Sequence, residues 1–245
     1  MTRRGIALAL AILVAAACTR GEGSETITVL AAASLTEVFA ALATEFEASH
    51  PGTTVELGFG ASSDLATQIE EGAPADVFAS ADEETMQRVV DADGADDPVV
   101  FARNQLAIAV ERGNPLGIET LADVDDPGVI VVLCAEQVPC GKLADQALVN
   151  ADVSLTPASR AASVKAALAT VELGEADAAI VYATDVESSD DVEGIEIPDD
   201  VNVVSRLPVA TLRETNDRTG ARAFVDFVTS PAGQRVLERF GFLAP

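Results

Sequence analysis

The alternation of short apolar strands with amphipathic helices most constrains what this chain can fold into. The segments TITVLAA, TTVELGFG and ADVFAS have the character of strands, and each is followed by a segment with helical spacing of apolar residues. This order is typical of α/β proteins, in which helices cover a mostly parallel sheet. The first helix carries one apolar stripe at helical spacing, formed by Leu35, Val38, Phe39, Leu42 and Phe46.

Two strand-rich passages without helix signals, near 101–110 and 203–212, bracket a middle α/β segment. They predict two lobes joined by two crossing strands, with the chain leaving the first lobe and later returning to it. We expect residues 25–104 with 207–245 to form the first lobe and residues 105–206 the second. A ligand would lie in the cleft between the lobes, at the carboxyl ends of the strands.

The N-terminal segment has the pattern of an export signal. Two arginines precede an apolar run of twelve residues at 6–17, well short of the ~20 residues that span a bilayer. Residues 1–17 are therefore predicted to be a signal peptide. Cys18 resembles the lipid-accepting cysteine of bacterial lipoproteins, and the polar, glycine-rich residues 18–24 would form a lipid-anchored tether. An ordinary secretory signal with an incidental cysteine is the alternative.

Fifteen basic and forty acidic residues give the chain a formal net charge of −25. A surface this acidic repels nucleic acid and anionic lipid, so neither is expected as a partner. We expect a monomer outside the cytoplasm, in the periplasm or at the cell membrane, whose only membrane contact is its N-terminal lipid anchor.

Two further cysteines, Cys134 and Cys140, lie close together in VLCAEQVPCG. In an exported protein such a pair is more often bonded than free, so we expect a disulfide. Because the closed loop is short, its chain-entropy stabilisation would be about 2–3 kcal/mol at most. The alternative is that Cys134 is a small buried hydrophobe that never pairs.

The sequence shows no clear catalytic set, although its many carboxylates leave a pair for acid–base chemistry open. The single histidine, His50, precedes Pro51 and Gly52 in an expected surface turn, where a role at the helix C-terminus is more typical than catalysis. Sequence motifs for zinc proteases, serine hydrolases, P-loops and dinucleotide-binding folds are absent. The chain is therefore not expected to be an enzyme or to carry a metal cofactor.

Small or hydroxyl residues recur where a strand is followed by a helix. Ser34, the pair Ser62 and Ser63, the segment around Cys140, and Ser163 all occupy such junctions. Each junction presents unpaired backbone N–H groups at the positive end of a helix dipole, where an anion can bind. If several converge on one cleft, they can hold an oxyanion without lysine or arginine.

Helix capping accounts for the same residues. SLTE at 34–37 is a capping box, SSDL offers an N-cap, Ser163 can cap its own helix, and Pro139 suits a first helical turn. Capping and ligand binding are compatible, and we expect Ser34 to do both.

Tyr182, the only tyrosine, ends the strand DAAIVY. Its hydroxyl could donate a hydrogen bond to an anion in the cleft, or it could cover the strand end with its hydroxyl in water.

Several segments together resemble the molybdate-binding proteins of bacterial ABC importers. They are ITVLAAASLTEVF, FGASSDLATQIEEGAPADVFASAD, EQVPCGKLADQAL, VKAALATVELGEADAAIVYATD and SPAGQRVLERFGF, spread over residues 27–243. The resemblance implies a two-lobed periplasmic-binding-protein fold of type II-like architecture. It also implies capture of molybdate, and of tungstate, and delivery of the anion to a membrane permease.

The same resemblance implies five oxyanion-binding residues, which are Ser34, Ser62, Cys140, Val164 and Tyr182. Ser63, as the neighbour of Ser62, is a secondary candidate. Cys140 stands where the family commonly has a small alanine-like residue, so a disulfide there would stiffen a ligand loop. Asp64 follows the serine pair and would have to point away from a dianion. Binding of sulfate or another tetrahedral oxyanion, a secreted hydrolase with Ser34 or Ser62 as nucleophile, and an adhesion module are the alternatives.

Overall fold

The computed structural model describes residues 25–245. The predicted signal peptide, Cys18 and the tether up to residue 24 lie outside the described residues. Over 25–245, no helix combines the length and the apolar character needed to cross a membrane. The described strands are β1 (Glu25–Ala32), β2 (Thr53–Gly60), β3 (Val77–Ala79), β4 (Ala95–Asn104), β5 (Leu106–Glu111), β6 (Val131–Cys134), β7 (Ser159–Ala161), β8 (Ala178–Tyr182), β9 (Val192–Glu196) and β10 (Ser205–Leu212). The described helices are α1 (Thr36–Ser49), α2 (Ser62–Glu70), α3 (Glu83–Asp91), α4 (Pro139–Asn150), α5 (Val164–Glu172), α6 (Ala183–Glu187), α7 (Arg218–Thr229) and α8 (Pro231–Arg239).

The first sheet has the strand order β2-β1-β3-β10-β4. β1 runs parallel to β2 and β3, whereas β10 runs antiparallel to β3 and β4. Ile27, Val29 and Ala31 of β1 are fully buried, because β1 is an interior strand against which α1, α2 and α7 pack. In the β1–β2 register Ala32 lies opposite Gly60, so both strands end at the same edge of the sheet.

The second sheet has the strand order β7-β6-β8-β5-β9. β6 runs parallel to β7 and β8, while β5 runs antiparallel to β8 and β9. α4 and α5 both pack against β6 and β8. We call the elements around the first sheet the first lobe, and those around the second sheet the second lobe.

The chain crosses between the sheets twice. It leaves the first sheet where β4 ends at Asn104 and enters the second at Leu106, and it returns before β10 begins at Ser205. The side chain of Asn202 accepts from the Leu106 N–H at 3.1 Å and donates to the Leu106 carbonyl at 2.9 Å, so the two crossings are hydrogen-bonded together. The predicted two-lobed α/β fold is confirmed, and the residue boundaries of the lobes stay a prediction.

The predicted apolar stripe of α1 is buried in the first lobe. The ring of Phe39 lies 5.8 Å from that of Phe101 and 6.2 Å from that of Phe224, measured between centroids. The ring of Phe46 packs edge-on against Phe224 at 5.2 Å. His50 stacks on Phe46 at 4.0 Å, so the histidine extends this aromatic cluster.

The elements that sequence reasoning did not identify are β7, β9 and α6. β7 has only three residues, and α6 only five. β9 is an edge strand with three of its five residues exposed, so it lacks the apolar run that marks an interior strand.

Candidate functional site

A small cavity lies where the two lobes meet. Its lining consists of Ala32, Ala33, Ser34, Gly60, Ala61, Ser62, Ala81, Val138, Pro139, Cys140, Val164 and Tyr182. The first lobe contributes residues at the ends of β1, β2 and β3, and the second lobe contributes the N-termini of α4 and α5 and the end of β8. The volume is about 10 Å³, which suits a very small occupant. All five residues implied by the resemblance line this cavity, whereas Ser63 does not.

Ser34 is not a helix cap, and the predicted capping box is wrong. Residues Ala33–Leu35 form a 3₁₀ turn, so α1 begins at Thr36 with Leu35 in the N-cap position. Ser34 therefore lies within a helical turn, and its hydroxyl makes no hydrogen bond to the N–H groups of α1. Its Oγ is buried and has no hydrogen-bond partner among the described residues. A buried hydroxyl without a partner costs free energy, and a ligand that accepted its hydrogen bond would remove that cost.

Ser62 and Ser63 do not cap α2 either. Ala61 occupies the N-cap position and Ser62 is the first helical residue. Ser62 Oγ accepts a hydrogen bond from the N–H of Ala81 at 3.0 Å, which leaves the hydroxyl hydrogen of Ser62 free to donate into the cavity. The hydroxyl of Ser205 donates to the carbonyl of the same Ala81. Serines of the first lobe thus fix Ala81 from both sides, a role that sequence reasoning missed because these residues are far apart in the chain.

The second lobe presents two helix N-termini to the cavity. Pro139 is the first residue of α4 and Cys140 follows it. Ser163 caps α5, as predicted, by accepting from the Ala166 N–H at 3.2 Å, so Val164 is the first residue of that helix. The N–H groups of the first turn of a helix have no partner within the helix. Cys140 and Val164 both line the cavity, so their first-turn N–H groups are available to a ligand there.

Cys134 and Cys140 form the predicted disulfide, with their Cα atoms 5.8 Å apart. Cys134 ends β6 and Cys140 lies in the first turn of α4. The bond therefore ties the N-terminus of α4 to the sheet. Both residues are buried, so the covalent link holds the Cys140 N–H in place from within the second lobe.

Tyr182 places its hydroxyl in the same cavity from the end of β8. The side chain is buried, and Oη has no partner in hydrogen-bonding geometry. The neighbouring Ser205 hydroxyl donates its hydrogen to the Ala81 carbonyl, and its oxygen opposes the effect of burial on the pKa of the Tyr182 phenol. Burial raises the pKa of the Tyr182 phenol well above its usual value, and the charges of Asp82 and Asp185 add to the rise. The phenol thus stays protonated and can donate a hydrogen bond.

The lining of the cavity carries no charged side chain. Asp64 is exposed and lies outside the lining, so it does not oppose a dianion at close range. Within residues 25–245, no three histidine, cysteine, aspartate or glutamate side chains form a group that could hold a metal ion. The cavity therefore offers neutral groups that can donate to an anion: the hydroxyls of Ser34, Ser62 and Tyr182 and the N–H groups of Cys140 and Val164. We call these the five donors.

A buried carboxylate lies just behind Tyr182. Asp185 is in the first turn of α6, and its Oδ1 lies 3.4 Å from Lys165 Nζ. Burial raises the pKa of Asp185 from 3.8 to about 6, against the opposing charge of Lys165, and Glu37 contributes a smaller rise. The folded protein thus binds this proton more tightly than the unfolded chain does.

We expect Asp185→Asn to stabilise the protein above pH 6. Between about pH 4 and pH 6 the folded state holds more protons at this site, so stability falls as pH rises through that window. The neutral amide of asparagine does not ionise, so the variant keeps this stability. Its free energy of unfolding should exceed that of the parent by on the order of 2–3 kcal/mol at pH 7.5 and be equal to it at pH 4. Thermal midpoints at both pH values measure this difference.

Asp123→Asn is the control. Hydrogen bonds from the Glu119 and Thr120 N–H groups and the Thr120 hydroxyl lower the pKa of Asp123, so its replacement should destabilise the protein at pH 7.5. An equal shift of Asp185→Asn at both pH values would contradict burial as the cause.

Comparison with known proteins agrees with this architecture. Residues 27–243 match the model of the family described as bacterial extracellular solute-binding protein. The chain is 40% identical over 226 residues to the molybdate-binding protein ModA of Mycobacterium tuberculosis, covering 91% of this chain and 87% of that protein.

Two solved structures share the fold. The periplasmic molybdate-binding protein of Azotobacter vinelandii superposes with a TM-score of 0.80 at 19% identity, covering 89% of this chain and 99% of that one. The sulfate-binding protein SubI of Mycobacterium tuberculosis gives a TM-score of 0.78 at 22% identity, covering 89% and 86%. Likeness at these identities shows the fold alone, whereas the family match and the sequence identity show membership. The chain belongs to the family of bacterial extracellular solute-binding proteins, in the group of the ModA molybdate-binding proteins.

Proposed function

We propose that this protein captures molybdate, and also tungstate, outside the cytoplasm by means of the five donors. The observation that carries the proposal is that five donors from five separate chain segments line one cavity without any charged side chain. Two of the three hydroxyls, those of Ser34 and Tyr182, are buried and have no other partner among the described residues. The sequence identity to a molybdate-binding protein supports the choice of ligand.

The chemistry of the donors favours an oxyanion without a proton. Molybdate and tungstate are dianions that only accept hydrogen bonds near neutral pH. Monohydrogen phosphate carries a proton that needs an acceptor, and a buried group left without one costs about 1–3 kcal/mol. The lining has no carboxylate or histidine to accept that proton, so we expect phosphate to bind more weakly than molybdate.

Sulfate is the alternative ligand, since it is also an unprotonated dianion and a sulfate-binding protein has the same fold. It is smaller than molybdate, so the reach of the five donors across the cavity must separate the two. A hydrolase with Ser34 or Ser62 as nucleophile is disfavoured, because a serine needs an adjacent base and the lining holds no histidine, carboxylate or lysine. We therefore propose a binding protein and not an enzyme.

We also propose that the protein is located at the cell envelope. A signal peptide at 1–17 and lipidation at Cys18 would place a monomer at the outer face of the membrane. From there it would deliver the anion to an ABC permease. The export signal and the tether in the sequence support this location, as does the family description.

The test is the thermal midpoint of the purified protein with equal excesses of molybdate, tungstate, sulfate and phosphate. A ligand present at 100 times its dissociation constant adds about 2.7 kcal/mol of stability. We expect a rise with molybdate and tungstate only. A rise with sulfate instead would change the ligand, and no rise with any of the four would overturn the proposal.

A further inference from the structure

The chain contains only two lysines, Lys142 and Lys165, among its fifteen basic residues. Both lie in the first turn of a second-lobe helix that supplies one of the five donors. Lys142 follows Cys140 by two positions in α4, and Lys165 follows Val164 directly in α5. The two lysines thus flank the cavity on the side of the second lobe.

Each lysine forms an ion pair with a glutamate of the first lobe. Lys142 Nζ lies 2.7 Å from Glu84 Oε1, and Lys165 Nζ lies 3.0 Å from Glu37 Oε2. The glutamates are also close to the cavity in sequence, since Glu37 follows Ser34 by three positions and Glu84 follows Ala81 by three. Both ion pairs therefore cross the cleft beside the cavity, and both must break before the lobes can separate.

Lys165 is held more firmly than a typical surface lysine. Besides Glu37 it contacts Ser188 Oγ at 3.0 Å and the fully buried carboxylate of Asp185 at 3.4 Å. These second-lobe partners fix the ammonium where Glu37 can reach it. A lysine ammonium is a compact, strongly hydrated point charge on a flexible stem, so water can solvate it when the lobes separate.

We propose that Lys142 and Lys165 are positioning residues that hold the lobes closed over the bound oxyanion through Glu84 and Glu37. Neither lysine is part of the cavity lining, and both act on the anion by setting how often the cleft opens. Loss of the ion pairs accelerates dissociation and leaves association nearly unchanged, because the five donors remain in place. This inference rests on the proposed function, since it requires an anion in the cavity.

The chain supplies a closely matched control. Glu45 lies on α1 like Glu37, and Glu83 lies on α3 next to Glu84. Glu45 pairs with Arg239 at 2.6 Å, and Glu83 pairs with Arg206 at 3.0 Å, in both cases within the first lobe. The side-chain exposures of Glu37 and Glu45 are 41% and 43%. The double variant E45Q/E83Q therefore makes the same charge change on the same helices without touching the cleft.

The experiment measures how fast bound radioactive molybdate dissociates from the full-length protein after excess unlabelled molybdate is added. We expect dissociation from E37Q/E84Q to be about tenfold faster than from E45Q/E83Q, as for the loss of two partly exposed ion pairs. A charge swap gives an independent readout at the more exposed pair. K142E alone should increase the dissociation rate of molybdate. In K142E/E84K the logarithm of that rate should return at least halfway to the parent value.

The outcomes separate this inference from the proposed function. If the parent protein retains molybdate and E37Q/E84Q releases it no faster than E45Q/E83Q, the ion pairs do not hold the cleft and only the inference is overturned. Failure of the charge swap to restore retention overturns it as well. If the parent protein retains no molybdate, the proposed function fails and the inference fails with it.

Discussion

Ser34→Ala is expected to lower the affinity for molybdate about 10- to 100-fold, the usual worth of a hydrogen bond to a charged group. It should leave the stability of the ligand-free protein unchanged or slightly raised. The reason is that Ser34 Oγ is buried without a partner among the described residues, so its removal breaks no bond within the protein. Calorimetric titration with molybdate and thermal melts without it measure the two effects.

Ser230→Ala is the matched control for this separation of affinity from stability. Ser230 caps α8 by accepting from the N–H groups of Ala232 and Gly233, both at 3.2 Å, and it is not part of the cavity lining. Its loss should cost about 1 kcal/mol of stability and no affinity. If Ser34→Ala instead lowered the melting temperature and left affinity intact, Ser34 would be a structural serine and the site would be wrong.

Gly141→Ala is expected to destabilise the protein by about 3 kcal/mol or more. A Cβ at this position would lie 2.1 Å from the carbonyl oxygen of Ala135 and 2.8 Å from that of Cys134. Both atoms belong to the backbone and cannot swing aside, so the first turn of α4 would have to move away from the end of β6. Cys140, the next residue back, would lose its position in the cavity, and molybdate affinity would fall as well.

Gly128→Ala serves as the comparison, since the added Cβ would meet only the flexible carboxylate of Asp126 at 3.2 Å. A surface change of this kind usually alters stability by less than about 0.5 kcal/mol. Urea unfolding of both variants measures the difference. A Gly141→Ala protein as stable as the parent would mean that α4 does not approach β6 as closely as described.

Apolar patterning located the strand ends and helix starts that line the cavity, but not the hydrogen bonds made there, and the oxyanion-binding role of the five donors stays a prediction. The donors occur where strands are followed by helices, and apolar patterning locates such junctions well. Patterning does not reveal that a 3₁₀ turn delays the start of α1 to Thr36, so the predicted capping role of Ser34 was wrong. The assignment of Ser163 as a cap was right, because α5 begins without such a turn.

Contacts between segments that are distant in the chain could not be predicted from the sequence. The support of Ala81 by Ser62 and Ser205 joins residues on three different elements or their ends. The ion pair of Lys165 with Glu37 likewise depends on how the two lobes meet. The disulfide could be predicted because Cys134 and Cys140 are close in sequence and the export signal indicates an oxidising compartment.

A crystal structure of the protein bound to molybdate would test the proposed site directly. We predict one anion between the lobes, with its oxygen atoms at hydrogen-bond distance, about 2.7–3.2 Å, from the five donors, and with no charged side chain in contact with it. An anion held elsewhere, or one bound through arginine or lysine side chains, would show that the five donors are not the binding site.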